Sequence, residues 1–294
     1  MGFSIRSTVA AAGALLLLSA FAAAAELKEI TNFGPNPSNA KMYLYVPDNV
    51  QPSAPLIVGI HWCHGTALDF YAGTKYAATA DSKGYIVIYP SVNTTDGCWD
   101  VSSAASLTHL GGGDSLAIHS MVSYVRRKYS VDSKRIFSTG ISSGAMMTEV
   151  LMGTYPDVFA AGSAFAGVPF GCFAGTSTWS DDCATGKINH TAREWGNLVR
   201  AAYPKYKGKR PRLQLFHGDQ DEILSFKNLG EAVEQWTNVL GLSAKPVKVE
   251  QDLPKVGWTR SIYGRKGELE TVVEVGQPHN LVVLEDEALR FFGL

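Results

Sequence analysis

The chain has 294 residues, a net charge of −1, a 46% share of hydrophobic residues and 4 cysteines. The near-zero net charge does not favour binding to nucleic acid or to an anionic membrane. The length is sufficient to bury a large core unaided, and no cysteine–histidine cluster has the spacing of a zinc site. We therefore expect no metal, no nucleic-acid partner and no membrane partner.

The first 25 residues have the pattern of a secretory signal peptide. Arg6 supplies a positive charge, Ala10 to Ala25 form a small and apolar run, and Ala23 and Ala25 fit the small-residue cleavage rule. The apolar core starts near Val9 and is shorter than the ~20 residues of a spanning helix, which disfavours a membrane anchor. We predict a signal peptide over residues 1–25 and a secreted, extracellular and monomeric protein with one domain over residues 26–294.

The predicted secretion suggests that the cysteines form disulfides and that two sequence motifs are glycosylation sites. Four cysteines in a secreted chain suggest two disulfides, with three pairings open: these are Cys63, Cys98, Cys172 and Cys183. Two Asn-x-Thr sequons predict glycosylation at Asn93 and Asn189.

Short apolar runs alternate with helical patterns along the remaining chain. Four runs are almost continuously apolar and are predicted to be buried strands: residues 55–61, 85–89, 135–139 and 212–217. A helix is predicted over 114–129, with Asp114 as its N-cap, because the apolar residues fall on one face. Further helices are predicted over 228–240 and 286–292. This alternation predicts an α/β fold, with a mostly parallel central sheet and helices on both faces. The stretch 167–192, rich in Gly, Ser and Asp, is predicted to be a long insertion over the sheet edge.

A G-x-S-x-G motif covers residues 140–144. The motif alone is weak, but it directly follows the third predicted strand and precedes a helical run over 145–151. A nucleophile elbow requires this strand–turn–helix setting, in which glycines relieve the clashes around a strained serine. Ser142 is therefore the candidate nucleophile.

A nucleophilic serine needs a histidine base, and the histidine needs a carboxylate to orient it. In α/β-hydrolases these residues follow one another as serine, acid and histidine. Among the 7 histidines, only His279 follows both Ser142 and the best candidate acids. His279 also lies in a turn directly after the apolar run 271–275, where the last strand is expected to end.

The candidate acids follow the strand 212–217. Asp219 and Asp221 are both available, and we favour Asp221 because it lies further into the turn, where a carboxylate can reach the last loop. His217 is then predicted to be a satisfied strand-end residue rather than a second base.

Two backbone N–H groups are expected to form an oxyanion hole beside the nucleophile. One belongs to Ser143, directly after Ser142, and the other to Cys63, in the loop after the first predicted strand. Trp62 and Trp99 are candidates for lining the acyl or sugar pocket. These residues together predict a serine hydrolase.

Seven segments together resemble the acetylxylan esterases of carbohydrate esterase family one: 61–67 (HWCHGTA), 97–103 (GCWDVSS), 111–115 (GGGDS), 140–148 (GISSGAMMT), 155–172, 217–221 and 258–264 (WTRSIYG). Feruloyl esterases and polyhydroxybutyrate depolymerases are related to that family. The resemblance covers nearly the whole mature chain. It implies an α/β-hydrolase that removes acetyl groups from acetylated xylan through an acyl-enzyme, without a cofactor. It also implies the disulfides Cys63–Cys98 and Cys172–Cys183.

Three positions depart from the family pattern. Pro278 precedes His279 where the family usually has glycine, His64 replaces a usual threonine, and Asp219 adds a carboxylate beside Asp221. These differences bear on acyl preference rather than on reaction type. Two alternatives therefore stand beside an acetylxylan esterase: a feruloyl esterase or general short-chain carboxylesterase, and a catalytically silent carbohydrate-binding relative, which the intact Ser, Asp and His set disfavours.

Overall fold

The computed structural model describes residues 1–2 and 25–294. Almost all of the predicted signal peptide, residues 1–25, lies outside this part of the chain. Among the residues described, no helix combines the length and the apolar character needed to cross a membrane.

A single ten-stranded sheet runs through the molecule, in the order β1-β2-β4-β3-β5-β6-β7-β10-β9-β8. The six strands from β4 to β10 in this order are parallel, and the two outer strands on each side are antiparallel. The strands are β1 Lys28–Ile30, β2 Lys41–Tyr45, β3 Ala54–Ile60, β4 Ile86–Ser91, β5 Val131–Ile141, β6 Ala161–Phe165, β7 Arg212–Gly218, β8 Lys248–Gln251, β9 Thr259–Tyr263 and β10 Leu269–Glu274.

Helices cover both faces of this sheet. They are α1 Ala67–Gly73, α2 Tyr76–Lys83, α3 Gly113–Lys128, α4 Ser143–Thr154, α5 Asp181–Ala184, α6 Ala192–Ala202, α7 Lys227–Leu240 and α8 Glu285–Phe292. One hydrophobic cluster joins the sheet to α3, α4, α6 and α7, and a second joins it to α1, α2 and α8. Successive residues of β3 alternate between them: Leu56 and Val58 belong to the first cluster and Ile57 to the second. The predicted α/β fold, with a mostly parallel sheet and helices on both faces, is confirmed.

The four predicted strands all form, and each is fully or largely buried. The predicted N-cap of the third helix is wrong. The helix begins at Gly113 with Gly112 as its N-cap, while Asp114 lies inside the first turn. Asp114 is buried, and its Oδ2 instead accepts a hydrogen bond of 2.8 Å from the N–H of Asp100. The turn into the helix needs positive φ at Gly112 (+123°) and Gly113 (+60°), a conformation that suits glycine.

Both disulfides implied by the family resemblance are present, Cys63–Cys98 and Cys172–Cys183. The first joins the loop after β3 to the loop after β4. The second closes part of the insertion 167–192, which holds only the short helix α5 before α6 begins. Both disulfides therefore fasten loops that follow the carboxyl ends of parallel strands, where ligands bind in open α/β sheets.

Candidate active site

Ser142 lies in the turn between β5 and α4. Its backbone has φ +55° and ψ −120°, a conformation that costs a non-glycine residue free energy. A Cβ at Gly140 would collide with the backbone of Gly144, and a Cβ at Gly144 would collide with the backbone of Ile60. The two glycines of the motif are therefore required sterically, because β5, the turn and α4 pack this closely.

The structure brings Ser142, His279 and Asp221 into one hydrogen-bonded chain. Ser142 Oγ lies 2.9 Å from His279 Nε2, and His279 Nδ1 lies 2.8 Å from Asp221 Oδ2. A carboxylate can only accept, so His279 Nδ1 carries the ring proton and Nε2 is left to accept the serine proton. This arrangement has the geometry of a serine hydrolase triad.

The Asp221 side chain is fully buried. Its Oδ1 accepts hydrogen bonds from the N–H groups of Leu224, at 2.7 Å, and Ile223, at 3.0 Å. Burial opposes the negative charge, but hydrogen bonds from His217, His279 and the Leu224 N–H outweigh it and hold the pKa of Asp221 well below its ordinary value. Asp221 therefore stays ionised, as an orienting carboxylate must.

Asp219 does not contact His279. Its Oδ1 accepts a hydrogen bond of 2.6 Å from the N–H of Gly276, in the turn that leads to the histidine. The two neighbouring carboxylates thus have different partners. Asp219 fastens the backbone of the last loop, whereas Asp221 contacts the imidazole.

The loop that carries His279 is held firmly although Pro278 lacks an N–H. The N–H of His279 donates to Glu222 Oε2 at 3.1 Å, and the N–H of Gln220 donates to the carbonyl of Gln277 at 3.1 Å. Gly218 allows this approach, because a Cβ there would collide with the Gln277 carbonyl. The departure from glycine at position 278 therefore leaves His279 within hydrogen-bonding distance of both Ser142 and Asp221.

Cys63 and Ser143 line the same small cavity as Ser142. Within residues 25–294 neither donates a hydrogen bond to another protein group. For Ser143 this follows from its place at the start of α4, where helical N–H groups have no partner within the helix. Both N–H groups thus have no partner among the described residues, which is consistent with the predicted oxyanion hole.

Hydrogen bonds with backbone and side-chain groups hold the Cys63 loop in place. The N–H of His64 donates to the Asp96 carbonyl at 3.0 Å, and the Trp99 indole N–H donates to the His61 carbonyl at 2.9 Å. The His61 ring is buried, which lowers its pKa. Nδ1 of the His61 ring lies 2.7 Å from the Trp62 carbonyl, and Nε2 accepts a hydrogen bond of 3.2 Å from the Val92 N–H.

Ser142 opens into a cleft of about 570 Å³. Trp62 lines this cleft, as the sequence predicts, whereas the buried Trp99 lines a smaller adjoining cavity of about 50 Å³ instead. The residues around the cleft are Trp62, Cys63, His64, Asp96, Cys98, Ile141, Ser142, Trp179, Ile223, His279, Asn280 and Leu281. No group of three His, Cys, Asp or Glu side chains in the described residues could hold a metal ion.

Sequence reasoning missed Trp179 and Ile223 as lining residues. Trp179 is 44% exposed, and it reaches the cleft from the insertion 167–192. A tryptophan among small polar residues in an insertion is the one signal that pointed to it. Ile223, 47% exposed, follows Asp221 closely, so the acid loop also forms part of the cleft wall.

Residues 40–241 match the family model described as esterase PHB depolymerase. The chain belongs to this family. Its members catalyse carboxylic ester hydrolysis, and this esterase is similar to acetylxylan esterase A of Aspergillus oryzae, at 44% identity over 92% of this chain and 89% of the relative. Feruloyl esterase B of Thermothelomyces thermophilus is also 44% identical, over 95% of this chain and 96% of the relative.

Among solved structures, the acetyl xylan esterase from Aspergillus awamori superposes on this esterase with a TM-score of 0.88 and 40% identity. The match covers 91% of this chain and 99% of that one. The serine hydrolase FphF of Staphylococcus aureus shares the fold alone, with a TM-score of 0.57 at 13% identity. The resemblance to acetylxylan esterases that the sequence motifs indicated is confirmed.

Proposed function

We propose that this protein is a secreted serine esterase that removes acetyl groups from acetylated xylan. The observation that carries the proposal is the hydrogen-bonded chain from Ser142 through His279 to Asp221 at the base of a cleft. The similarity to acetylxylan esterases over more than nine-tenths of the chain supports the substrate class.

In the first half of the reaction, Ser142 Oγ attacks the carbonyl carbon of the acetyl ester, and its proton passes to His279 Nε2. The resulting oxyanion accepts hydrogen bonds from the N–H groups of Ser143 and Cys63. The bond between the carbonyl carbon and the sugar oxygen then breaks. His279 gives its proton to that oxygen, which leaves as a free hydroxyl, and the acetyl group stays on Ser142.

In the second half, a water molecule attacks the acetyl carbon while His279 Nε2 takes one of the water protons. The bond to Ser142 Oγ breaks, the proton returns to the serine, and acetic acid leaves and ionises to acetate in water. Throughout, Asp221 keeps the proton of the neutral ring on Nδ1 and stabilises the imidazolium that forms twice.

The shape of the site favours a small acyl group on a large alcohol. The adjoining cavity of about 50 Å³, lined partly by Trp99, Met146 and Phe173, borders both Ser142 and Ser143, and its volume suits an acetyl methyl. The larger cleft presents Trp62 and Trp179 together with polar groups such as Asp96. Aromatic rings can pack on the faces of sugar rings, and polar groups can bind their hydroxyls.

A feruloyl esterase is the second candidate, because feruloyl esterase B of Thermothelomyces thermophilus is as similar as the acetylxylan esterases are. The deciding experiment assays purified protein side by side on acetylated xylan and methyl ferulate. We expect acetate to be released from acetylated xylan faster than methyl ferulate is hydrolysed. Much faster turnover of methyl ferulate would mean that the enzyme prefers feruloyl groups, while the proposed catalytic mechanism would stand. Absence of covalent labelling by a fluorophosphonate would instead favour the catalytically silent carbohydrate-binding relative.

For the whole protein we propose cleavage of a signal peptide over residues 1–25 and an extracellular monomer with its catalytic domain over 26–294. An extracellular location is consistent with the two disulfides, since such bonds persist in oxidising compartments. Asn93 and Asn189 are both exposed, as N-glycosylation requires. Amino-terminal sequencing and glycan mapping of protein from the culture medium test these proposals. A mature chain that begins far from Glu26 would contradict them.

A further inference from the structure

Beyond the proposed triad, one other side chain among the described residues lies within contact distance of the Asp221 carboxylate. His217, at the end of β7, is buried, and its Nε2 lies 3.2 Å from Asp221 Oδ2. The same oxygen lies 2.8 Å from His279 Nδ1. Asp221 Oδ2 is therefore in contact with two imidazoles.

The proton on His217 can be placed from its partners. Nε2 also lies 2.9 Å from the carbonyl of Leu224. A peptide carbonyl and an ionised carboxylate both only accept hydrogen bonds, so Nε2 must carry the proton. Its N–H donates to the Leu224 carbonyl, and the Asp221 carboxylate is the longer, second acceptor. Because the Leu224 carbonyl and the Phe226 ring, whose centroid is 6.0 Å away, also pack against it, the His217 ring is fixed independently of Asp221.

A small polar cavity lies beside the His217 ring. His217, Glu149 and Asn228 line a cavity of about 10 Å³, which has room for about one water molecule. Asn228 Oδ1 is buried without a protein partner in the described part of the chain. Burial raises the pKa of Glu149 to about 8, so this side is polar but uncharged at neutral pH. The titratable groups that face His217 are thus Asp221 and, across the cavity, Glu149.

We propose that His217 is a positioning residue whose Nε2–H fixes the Asp221 carboxylate in the orientation that His279 requires. This inference rests on the proposed function. Removal of the donor has two consequences. A smaller fraction of the molecules has Asp221 facing His279, which lowers turnover. In the molecules that keep this contact, the carboxylate has one donor fewer and stabilises protonated His279 more, which moves the acid limb of activity to higher pH.

The test compares H217L with H217Q on an aryl acetate, with enzyme concentration set by fluorophosphonate titration. H217L keeps the volume but loses the donor, and we expect kcat to fall about 10- to 100-fold with KM nearly unchanged. The acid limb of the kcat/KM profile should move to higher pH. In H217Q the amide nitrogen can donate from nearly the same place, so most of the turnover and the original acid limb should return.

H119L serves as the matched control, because His119 is partly buried against Tyr155 and has no contact with the site. It should retain both kcat and the pH profile. If H217L does not fold, H217N takes its place, since the shorter amide cannot reach Asp221 and should show the same two changes.

Two results would overturn the role of His217: wild-type kcat and acid limb in H217L, or a loss in H217Q equal to that in H217L. S142A, assayed in parallel, separates this inference from the proposed function. Activity in S142A contradicts the proposed function itself. An inactive S142A beside a fully active H217L contradicts only the role of His217.

Discussion

Asp219 and Asp221 are two residues apart, but their contacts predict different effects of the same substitution. Asp221 accepts from His279 Nδ1, so D221N should favour the wrong imidazole tautomer and lower kcat by about 10⁴-fold. Among the described residues Asp219 accepts from the Gly276 N–H and not from His279, so D219N should have a mild effect on kcat. Steady-state rates on an aryl acetate measure both. A larger loss in D219N would mean that the acid is assigned to the wrong carboxylate.

Ser142 combines a chemical role with backbone strain, and two substitutions separate them. Both S142A and S142G remove the hydroxyl, so both should lose activity by up to about 10⁶-fold. Alanine at position 142 still has the conformational free-energy cost of φ +55°, whereas glycine adopts this conformation readily. S142G should therefore unfold at a higher temperature than S142A, with a difference of about 1–3 kcal/mol at most. Equal melting temperatures, or residual activity above a few per cent, would contradict this account.

The chain order and local turn chemistry suffice to predict Ser142, Asp221 and His279, because each lies directly after a recognisable apolar strand. The contact between His217 and Asp221 could not be predicted. The sequence places His217 at a strand end, but only the fold of the loop 219–224 turns the carboxylate back onto it. The position of Trp179 could not be predicted either, since the insertion 167–192 has no periodicity from which an approach to Ser142 could be inferred.

At the scale of elements, continuous apolar runs predict the central strands because both faces of those strands are covered by helices. The same criterion misses β6, whose Ala and Gly residues are small, and the edge strands β1 and β8, which are short and largely exposed. It also places the start of β5 four residues late, at Arg135 instead of Val131, because the exposed polar residues at the start of this strand break the apolar run.

The Cys63–Cys98 disulfide joins two loops at the carboxyl ends of β3 and β4, and one of these loops carries the proposed oxyanion donor. We expect the double variant C63S/C98S to lose about 2–4 kcal/mol of stability. It should also lose kcat, because the Cys63 N–H is no longer held beside Ser142. Thermal unfolding and steady-state kinetics on the same preparation measure the two effects.

C172S/C183S is the matched control for that prediction. Its bond spans 11 residues rather than 35, so its removal should cost less chain entropy. Because neither cysteine lies beside the Ser142 hydroxyl, kcat should fall less than in C63S/C98S. Equal losses of kcat in the two double variants would argue against a specific role for the Cys63 loop.

For the molecule as a whole, buried acids set how stability depends on pH. Burial raises the pKa of both Glu149 and Glu274 to about 8, from an ordinary value of 4.5. Glu149 receives one hydrogen bond, 2.8 Å from the Trp236 indole N–H, and Glu274 Oε1 has no partner among the described residues. The lowered pKa of Asp221 has the opposite effect on the pH dependence of stability. It stabilises the folded protein at pH values above 3.8, the ordinary pKa of an aspartate. Stability should therefore be greatest near the lower end of the window between 4.5 and 8.

Replacement of Glu149 tests this dependence directly. Above pH 4.5 the unfolded chain releases the Glu149 proton while the folded protein keeps it until about pH 8, so the free energy of unfolding falls as pH rises through this window. E149Q keeps the shape and the neutral charge but cannot ionise. Relative to wild type, its melting temperature should be similar near pH 4.5 and higher at pH 8, by an amount that corresponds to on the order of 4 kcal/mol at most. E29Q, at an exposed position on β1, is the control and should follow wild type at every pH. A constant offset between E149Q and wild type from pH 4.5 to 9 would show that Glu149 is ionised in the folded protein and that its burial does not govern the pH dependence.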